Sequence, residues 1–175
     1  MFKLTYGTKS VRSLVRCAMI AAVYVVLCLT LAPFSYGAVQ VRLAEILCLL
    51  PIFGPEYIVG VTLGCFLANV FGSTFIDVIF GTLATLLACL CTYRLRHLRV
   101  MGLALPAAVP PVLFNAVIVG LEISIFFSDT PATLPLTLFN MLTVGLGEVI
   151  SCLILGVALV RLIEANNGLK RVFAE

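Results

Sequence analysis

Apolar residues occur along this chain in six runs, and polar residues are confined to short stretches between the runs or to isolated positions inside them. Long uncharged runs are typical of helices that cross a bilayer, because one span takes about 20 apolar residues. The pattern predicts helices at about 17–32, 41–53, 56–71, 73–91, 105–127 and 136–163. We therefore expect an all-α integral membrane protein with six transmembrane helices, forming a single membrane domain over residues 1–175.

The composition also indicates a polytopic membrane protein. Of the 175 residues, 62% are hydrophobic and 11% are charged, and the mean hydropathy is +1.21. A soluble domain of this size exposes too much surface to carry so few polar residues. The basic N-terminus followed by an apolar run also has the outline of a signal peptide, but five further apolar runs favour a retained first span.

The lysines and arginines predict the orientation. With six spans and both termini in the cytoplasm, ten of the eleven lie on the cytoplasmic side: at the N-terminus, in the connector 93–99, and from Arg161 onward. Only Arg42 falls at or near the outer face. This is the asymmetry of the positive-inside rule.

Polar side chains inside the predicted spans point to a binding site, because such groups are expensive at membrane depth. The stretch 33–50 holds four of them, and its short helix 41–53 reaches only about 20 Å, so part of the preceding loop must lie at membrane depth. Later spans place further polar groups in the same outer half of the bilayer. The predicted solute pocket comprises Tyr36, Gln40, Arg42, Glu45, Asn69, Asp77, Asn115, Glu122, Asn140 and Glu148.

Structural explanations for individual members stay open at this point. Arg42 and Glu45 are three residues apart and could neutralise each other on one helix. Asp77 could be an exposed acid favoured by a helix N-terminus. The asparagines could form hydrogen bonds between helices. Glu122 and Glu148 are harder to explain in this way, because a buried carboxylate needs a partner.

The pocket chemistry predicts a polar planar or cationic solute. Carboxylates accept pairs of N–H bonds and attract cations, and aromatic rings stack on flat heterocycles. Glu45 and Glu122 are the preferred carboxylates for the edge of such a heterocycle. Aromatic residues near the pocket in sequence are Phe34, Tyr36, Phe71, Phe114, Phe126 and Phe139.

No motif supports an enzyme or an ATP-binding subunit. The chain lacks the G-x-x-x-x-G-K-[ST] phosphate-binding loop, and it has no catalytic serine, cysteine or histidine constellation and no metal-ligand cluster. Its seven cysteines fall in or beside apolar runs, where cysteine usually acts as a small hydrophobe. We expect no cofactor and no metal.

Three runs carry a family resemblance: SYGAVQVRLAE at 35–45, LGCFLANVFG at 63–72 and DVIFGTLAT at 77–85. The chain resembles the QueT family, substrate-binding S-components of energy-coupling-factor (ECF) transporters in the bacterial cytoplasmic membrane. The resemblance implies a six-helix S-component fold and uptake of a queuosine precursor, a 7-deazaguanine such as preQ1, preQ0 or queuine. It also implies two kinds of partner, a transmembrane coupling subunit and a pair of ATPase subunits.

Within this resemblance, Ala18-x-x-x-Ala22 matches the first-helix motif by which S-components dock on the coupling subunit. From spacing alone, such a small-x-x-x-small face would let another helix approach closely.

Other functions remain open. A self-sufficient ion-coupled carrier could use Glu122 and Glu148 as proton or sodium sites. A structural subunit or an intramembrane enzyme has no motif behind it. The sequence also leaves open whether Arg42 contacts solute or only Glu45, and whether the loop 128–135, with Asp129, closes over the site.

Overall fold

The structure is a computed structural model that describes residues 3–31, 42–128 and 131–174, and the surroundings of side chains within residues 11–173 of these ranges. Helices make up nearly all of the described chain, which contains no β-strand. In chain order they are α1 Lys3–Thr30, a 3₁₀ helix Leu43–Ile52, α2 Glu56–Gly72, α3 Phe75–Arg94, α4 Leu105–Phe126, α5 Leu134–Glu148, a π-helical segment Val149–Gly156, α6 Val157–Ala165 and α7 Asn167–Ala174.

Four helical stretches are long and apolar enough to cross a membrane. They are Val11–Thr30, Phe75–Arg94, Leu105–Phe126 and the continuous stretch Leu134–Ala165. The predicted all-helical, multi-pass membrane protein is therefore confirmed. Among the described residues, the apolar helices Leu43–Ile52 and Glu56–Gly72 are shorter, so the count of six spans stays a prediction.

The 3₁₀ helix lies at the centre of the fold. Eight of its ten residues are buried, and it contacts α1, α2, α3, α4, α6 and the π-helical segment. The prediction of an α-helix at 41–53 is wrong in helix type. Ten residues that rise about 2.0 Å each reach about 20 Å, whereas the same residues in an α-helix would reach about 15 Å. Pro51, which has no backbone N–H to donate, lies inside this helix.

Helices α1 and α2 pack closely through a G-x-x-x-G motif. A Cβ atom on Gly64 would lie 2.6 Å from the Cβ atom of Tyr24, and one on Gly60 would lie 2.9 Å from the backbone oxygen of Cys17. Contacts this short require glycine, because any side chain would push the helix backbones apart. The motif was overlooked in the sequence, although its spacing marks it.

Ala18 and Ala22 lie outside this helix contact and are exposed. The small-residue face that they form is therefore not used to pack α1 within the described chain. It is open to lipid or to a helix from another subunit.

Three contacts join the basic parts of the chain at one end of the bundle. Arg16 pairs with Glu56 at 3.4 Å, and Arg99 pairs with Glu164 at 2.7 Å. The hydroxyl of Tyr57 donates to a backbone oxygen of α7 at 2.9 Å. The buried polar groups described next lie beside the N-terminal half of α3, where they contact Asp77 and Thr85.

Candidate functional site

A buried ion pair joins the start of the 3₁₀ helix to the start of α3. The Nη2 atom of Arg42 donates to both carboxylate oxygens of Asp77, at 2.7 and 3.0 Å, and the two side chains are only 7% and 6% exposed. Asp77 lies in the first turn of α3, where its backbone N–H donates to the Thr74 hydroxyl that caps the helix. Asn69 of α2 donates its amide to the backbone oxygen of Asp77 at 3.1 Å.

This pair corrects two of the alternatives raised from the sequence. Arg42 precedes the 3₁₀ helix in an extended conformation, with φ −80° and ψ 90°, and its side chain pairs with Asp77. The three-residue spacing to Glu45 therefore does not produce a helical ion pair, because Arg42 is not in the helix. The alternative of an exposed Asp77 is also wrong, since that residue is 4% exposed.

A glycine makes room for the ion pair. A Cβ atom on Gly81 would lie 2.7 Å from Oδ1 of Asp77, 2.9 Å from Nδ2 of Asn69 and 3.4 Å from Nη1 of Arg42. Only glycine fits where a helix passes this close to three polar groups, so the ion pair depends on the small residue one turn along α3.

Glu45 is fully enclosed, and four neutral donors surround its carboxylate. The Tyr24 hydroxyl and the Thr85 hydroxyl donate to Oε1, the latter at 3.4 Å. The Cys48 thiol donates to Oε2 at 2.7 Å, and the Asn115 amide does so at 3.5 Å. A carboxylate offers about four lone-pair sites, so these donors account for its acceptor capacity.

Two cysteines donate hydrogen bonds to Glu45 rather than acting only as hydrophobes, which the sequence did not reveal. In a 3₁₀ helix residues three apart eclipse each other, and this places the Cys48 thiol on Glu45. The Cys152 thiol donates to the Glu45 backbone oxygen and to Glu148, each at 3.2 Å. The Sγ atom of Cys152 and one carboxylate oxygen each of Glu45 and Glu148 lie within 4.8 Å of one another, a spacing that could hold a cation. The hydrogen bonds of the Cys152 thiol also explain this grouping without a cation.

A narrow cleft runs between α4, α5 and the start of the 3₁₀ helix. It is lined by Arg42, Asn115, Val119, Val144 and Glu148 and has an empty volume of about 200 Å³. The cleft is too narrow at every point to admit a water molecule. Glu148 ends α5 where the π-helical segment begins, and such widened turns are frequent at functional sites.

Comparison with known proteins decides the family. A family profile described as QueT transporter matches residues 14–165, which is most of the chain. The chain belongs to the QueT transporter family. A relative named "Queuosine precursor transporter QueT", from Lactococcus lactis subsp. cremoris (strain MG1363), is 43% identical over 75 residues, which are 42% of this chain and 44% of the relative. The alignment thus spans less than half of that relative. No solved structure matches.

In this QueT-family chain, Glu122 stands apart from the other polar groups. Its side chain is 3% exposed, and neither carboxylate oxygen has a hydrogen-bond partner among the described residues. It follows Asn115 by seven residues and Val119 by three, so all three share a face of α4.

The described site carries an excess of negative charge. Four buried carboxyl groups, on Glu45, Asp77, Glu122 and Glu148, accompany the single guanidinium of Arg42. If all were ionised, three negative charges would lack a counter-ion among the described residues. Burial of unpaired charge is costly in an apolar environment, so the site favours either protonated carboxyl groups or a bound cation.

Asn140 lies outside the cleft. Its amide donates to the Ser124 hydroxyl at 3.0 Å and so joins α5 to α4. Nearby, a Cβ atom on Gly120 would lie 2.7 Å from the Cα atom of Met141, so the two helices touch through their backbones. Asn140 thus behaves as the interhelical link considered from the sequence.

Three of the aromatic residues expected near the pocket do not line the described cleft. Phe71, Phe126 and Phe139 are exposed by 70%, 49% and 62%, and Val119 and Val144 supply the apolar surface instead. Tyr36 and Gln40, with Phe34, and Asp129 of the 128–135 loop lie outside the described residues.

Proposed function

We propose that this chain is the substrate-binding subunit of an ECF importer for a queuosine precursor, a 7-deazaguanine such as preQ1, preQ0 or queuine. Membership of the QueT transporter family and the name of the Lactococcus relative support the substrate class. The observation that carries the proposal is the cleft, in which a carboxylate and an amide face each other between apolar walls. That combination suits a flat base with a polar edge.

Glu148 is our candidate for the base edge. A carboxylate accepts two parallel N–H bonds from the edge of a guanine-like ring, and Asn115 offers both a donor and an acceptor beside it. From the sequence, Glu45 and Glu122 are the preferred carboxylates for this role. Because four donors already occupy Glu45, we now propose that Glu45 holds the 3₁₀ helix and Asn115 in position.

Arg42 and Asp77 form one wall of the same site. Arg42 lines the cleft while its guanidinium is held by Asp77, so it acts as a fixed donor rather than a free charge. The cleft must widen to admit a base, and we propose that Val119 of α4 and Val144 of α5 move apart for this. We further propose six spans with both termini in the cytoplasm, an arrangement in which the cleft lies toward the outer face.

In this proposal, partner subunits supply the energy for transport. We propose that the solute is captured outside, that the whole subunit reorients in the membrane, and that release inside is driven by ATP hydrolysis on two ATPase subunits. The exposed face of Ala18 and Ala22 is the proposed docking site for the coupling subunit, because small residues let a partner helix approach closely.

A second function, an ion-coupled secondary carrier, is favoured by one observation. Glu122 is buried and lacks a hydrogen-bond partner among the described residues, as expected of a carboxyl group that takes up a proton or sodium ion. An uptake assay in liposomes distinguishes the two functions. A carrier would take up labelled preQ1 alone under an ion gradient, whereas an S-component would require the coupling subunit, the ATPases and ATP.

Calorimetric titration tests the substrate class. Purified full-length protein is titrated with preQ1, preQ0, queuine, guanine and adenine. We expect at least one 7-deazaguanine to bind with a dissociation constant at or below the micromolar range and adenine to bind far more weakly. Absence of binding to every 7-deazaguanine would overturn the proposal. Mass spectrometry of any small molecule that co-purifies would identify the ligand without assumptions.

A further inference from the structure

Glu122 is the one buried carboxyl group of the described site that the binding scheme above leaves without a role. Glu45 has four donors, Asp77 holds Arg42, and Glu148 faces the cleft beside Asn115. Both carboxylate oxygens of Glu122 are buried and have no hydrogen-bond partner within the described chain, and the residue is only 3% exposed. Buried polar groups in native proteins nearly always have partners, so an exception calls for an explanation.

The missing partner is best supplied by a cation. Among the described residues, the cleft and its surroundings hold four buried carboxyl groups and one guanidinium, and Asp77 already engages that guanidinium. A neutral ligand would leave the charge excess unchanged. A ligand with a positive group would remove part of it and would give Glu122 a charge-assisted hydrogen bond.

The position of Glu122 fits the far end of a base held by Glu148. Asn115, which lies beside Glu148 in the cleft, precedes Glu122 by seven residues on the same face of α4. At 1.5 Å per residue this separation is about 10.5 Å along the helix. A fused two-ring base with a one-carbon amino substituent spans such a distance, with a hydrogen bond at each end.

We propose that Glu122 is the specificity-determining residue for the 7-substituent and pairs with its ammonium group. The site thereby selects cationic 7-deazaguanines, which carry an aminomethyl or substituted aminomethyl group, over neutral ones. This inference rests on the proposed function, because it assigns the second end of the same ligand. It predicts that preQ1 and queuine bind more tightly than preQ0, whose 7-substituent is an uncharged nitrile.

The test uses two ligands that differ in charge but scarcely in shape. Purified full-length protein is titrated with preQ1 and with 7-hydroxymethyl-7-deazaguanine, in which a hydroxyl replaces the ammonium. We expect wild type to prefer preQ1 by 10-fold or more, the size of one charged hydrogen bond. In Glu122→Gln that preference should collapse to threefold or less, with the affinity for the hydroxymethyl ligand nearly unchanged.

Glu56→Gln is the matched control, since Glu56 pairs with Arg16 at the other end of the bundle and should retain the full preference. The retained affinity of Glu122→Gln for the hydroxymethyl ligand shows that the variant is folded. Equal affinities in wild type, or a preference that survives in Glu122→Gln, would overturn the assignment while leaving the proposed function intact. An equal loss of affinity for both ligands in Glu122→Gln would also overturn the assignment. Absence of binding to any 7-deazaguanine would instead overturn the proposed function and, with it, this inference.

Discussion

The Arg42–Asp77 ion pair is the interaction whose removal should most destabilise the site. Asp77→Asn preserves the shape of the side chain but removes its charge. The Arg42 guanidinium, which now donates to two oxygens at 2.7 and 3.0 Å, would then remain buried without its counter-ion. Removing one partner of a buried pair costs about 3–5 kcal/mol, because the other charge stays desolvated.

We expect the lower end of this range, about 3 kcal/mol, because Glu148 lines the same cleft as Arg42 and offsets part of the loss. The asparagine oxygen can also still accept one hydrogen bond. For a chain of this size, 3 kcal/mol corresponds to a decrease in melting temperature of roughly 6–12 °C on the scale of globular proteins.

The assay is unfolding in mixed micelles by increasing the fraction of sodium dodecyl sulfate, followed by circular dichroism. Glu164→Gln is the control, because the Arg99–Glu164 pair is as short, at 2.7 Å, but its side chains are 28% and 31% exposed. Exposed pairs contribute about 0.2–1 kcal/mol. The double variant Arg42→Met/Asp77→Leu should be more stable than Asp77→Asn, since it strands no charge.

If Asp77→Asn were no less stable than Glu164→Gln, the Arg42–Asp77 pair would not be buried as described. If the double variant were less stable than Asp77→Asn, loss of packing rather than a stranded charge would explain the effect.

Two further substitutions test the helix packing and the proposed docking face. Gly64→Ala should destabilise the protein by about 1–3 kcal/mol in the same assay, because its Cβ atom would lie 2.6 Å from that of Tyr24. The control Gly145→Ala should be tolerated, because its Cβ atom would meet only Ala116 at 3.4 Å. Equal destabilisation by the two substitutions would contradict the close packing of α1 on α2. Ala18→Phe should leave the preQ1 affinity within twofold of wild type but abolish co-purification with the coupling subunit. The control Leu138→Phe, on the exposed face of α5, should affect neither property. If Ala18→Phe still co-purified with the coupling subunit, the face formed by Ala18 and Ala22 would not be part of the interface.

The membrane-protein class and some helix boundaries could be read from the sequence, because apolar runs and Gly/Pro interruptions are local signals. The start of α1 at Lys3, rather than near residue 17, the π-helical segment Val149–Gly156 and the helix α7 were not predicted. Helix α2 begins at Glu56, directly after Gly54-Pro55, and α4 begins at Leu105, just before Pro106. The type of the central helix could not be read in this way. A 3₁₀ and an α-helix share the same apolar composition, so the pattern at Leu43–Ile52 does not distinguish them.

Depth in the bilayer grouped the polar residues of the predicted pocket but gave no indication of which of them pair. Arg42 bonds to Asp77, 35 residues away, rather than to Glu45 three residues away, because an extended residue at the helix start redirects its side chain. The thiol donors to Glu45 were missed for a related reason. Cysteine in an apolar run looks hydrophobic until a buried acceptor is brought within reach, as Cys152 shows across 107 residues.

The most direct test of the binding cleft is the affinity of Glu148→Gln for preQ1. The variant keeps the size of the side chain and replaces one acceptor oxygen by a donor, so it should repel one N–H of the base edge. We expect the dissociation constant measured by calorimetry to rise 10-fold or more above wild type, while Glu56→Gln binds like wild type. Wild-type affinity for preQ1 in Glu148→Gln would contradict the placement of the substrate in the cleft between α4 and α5.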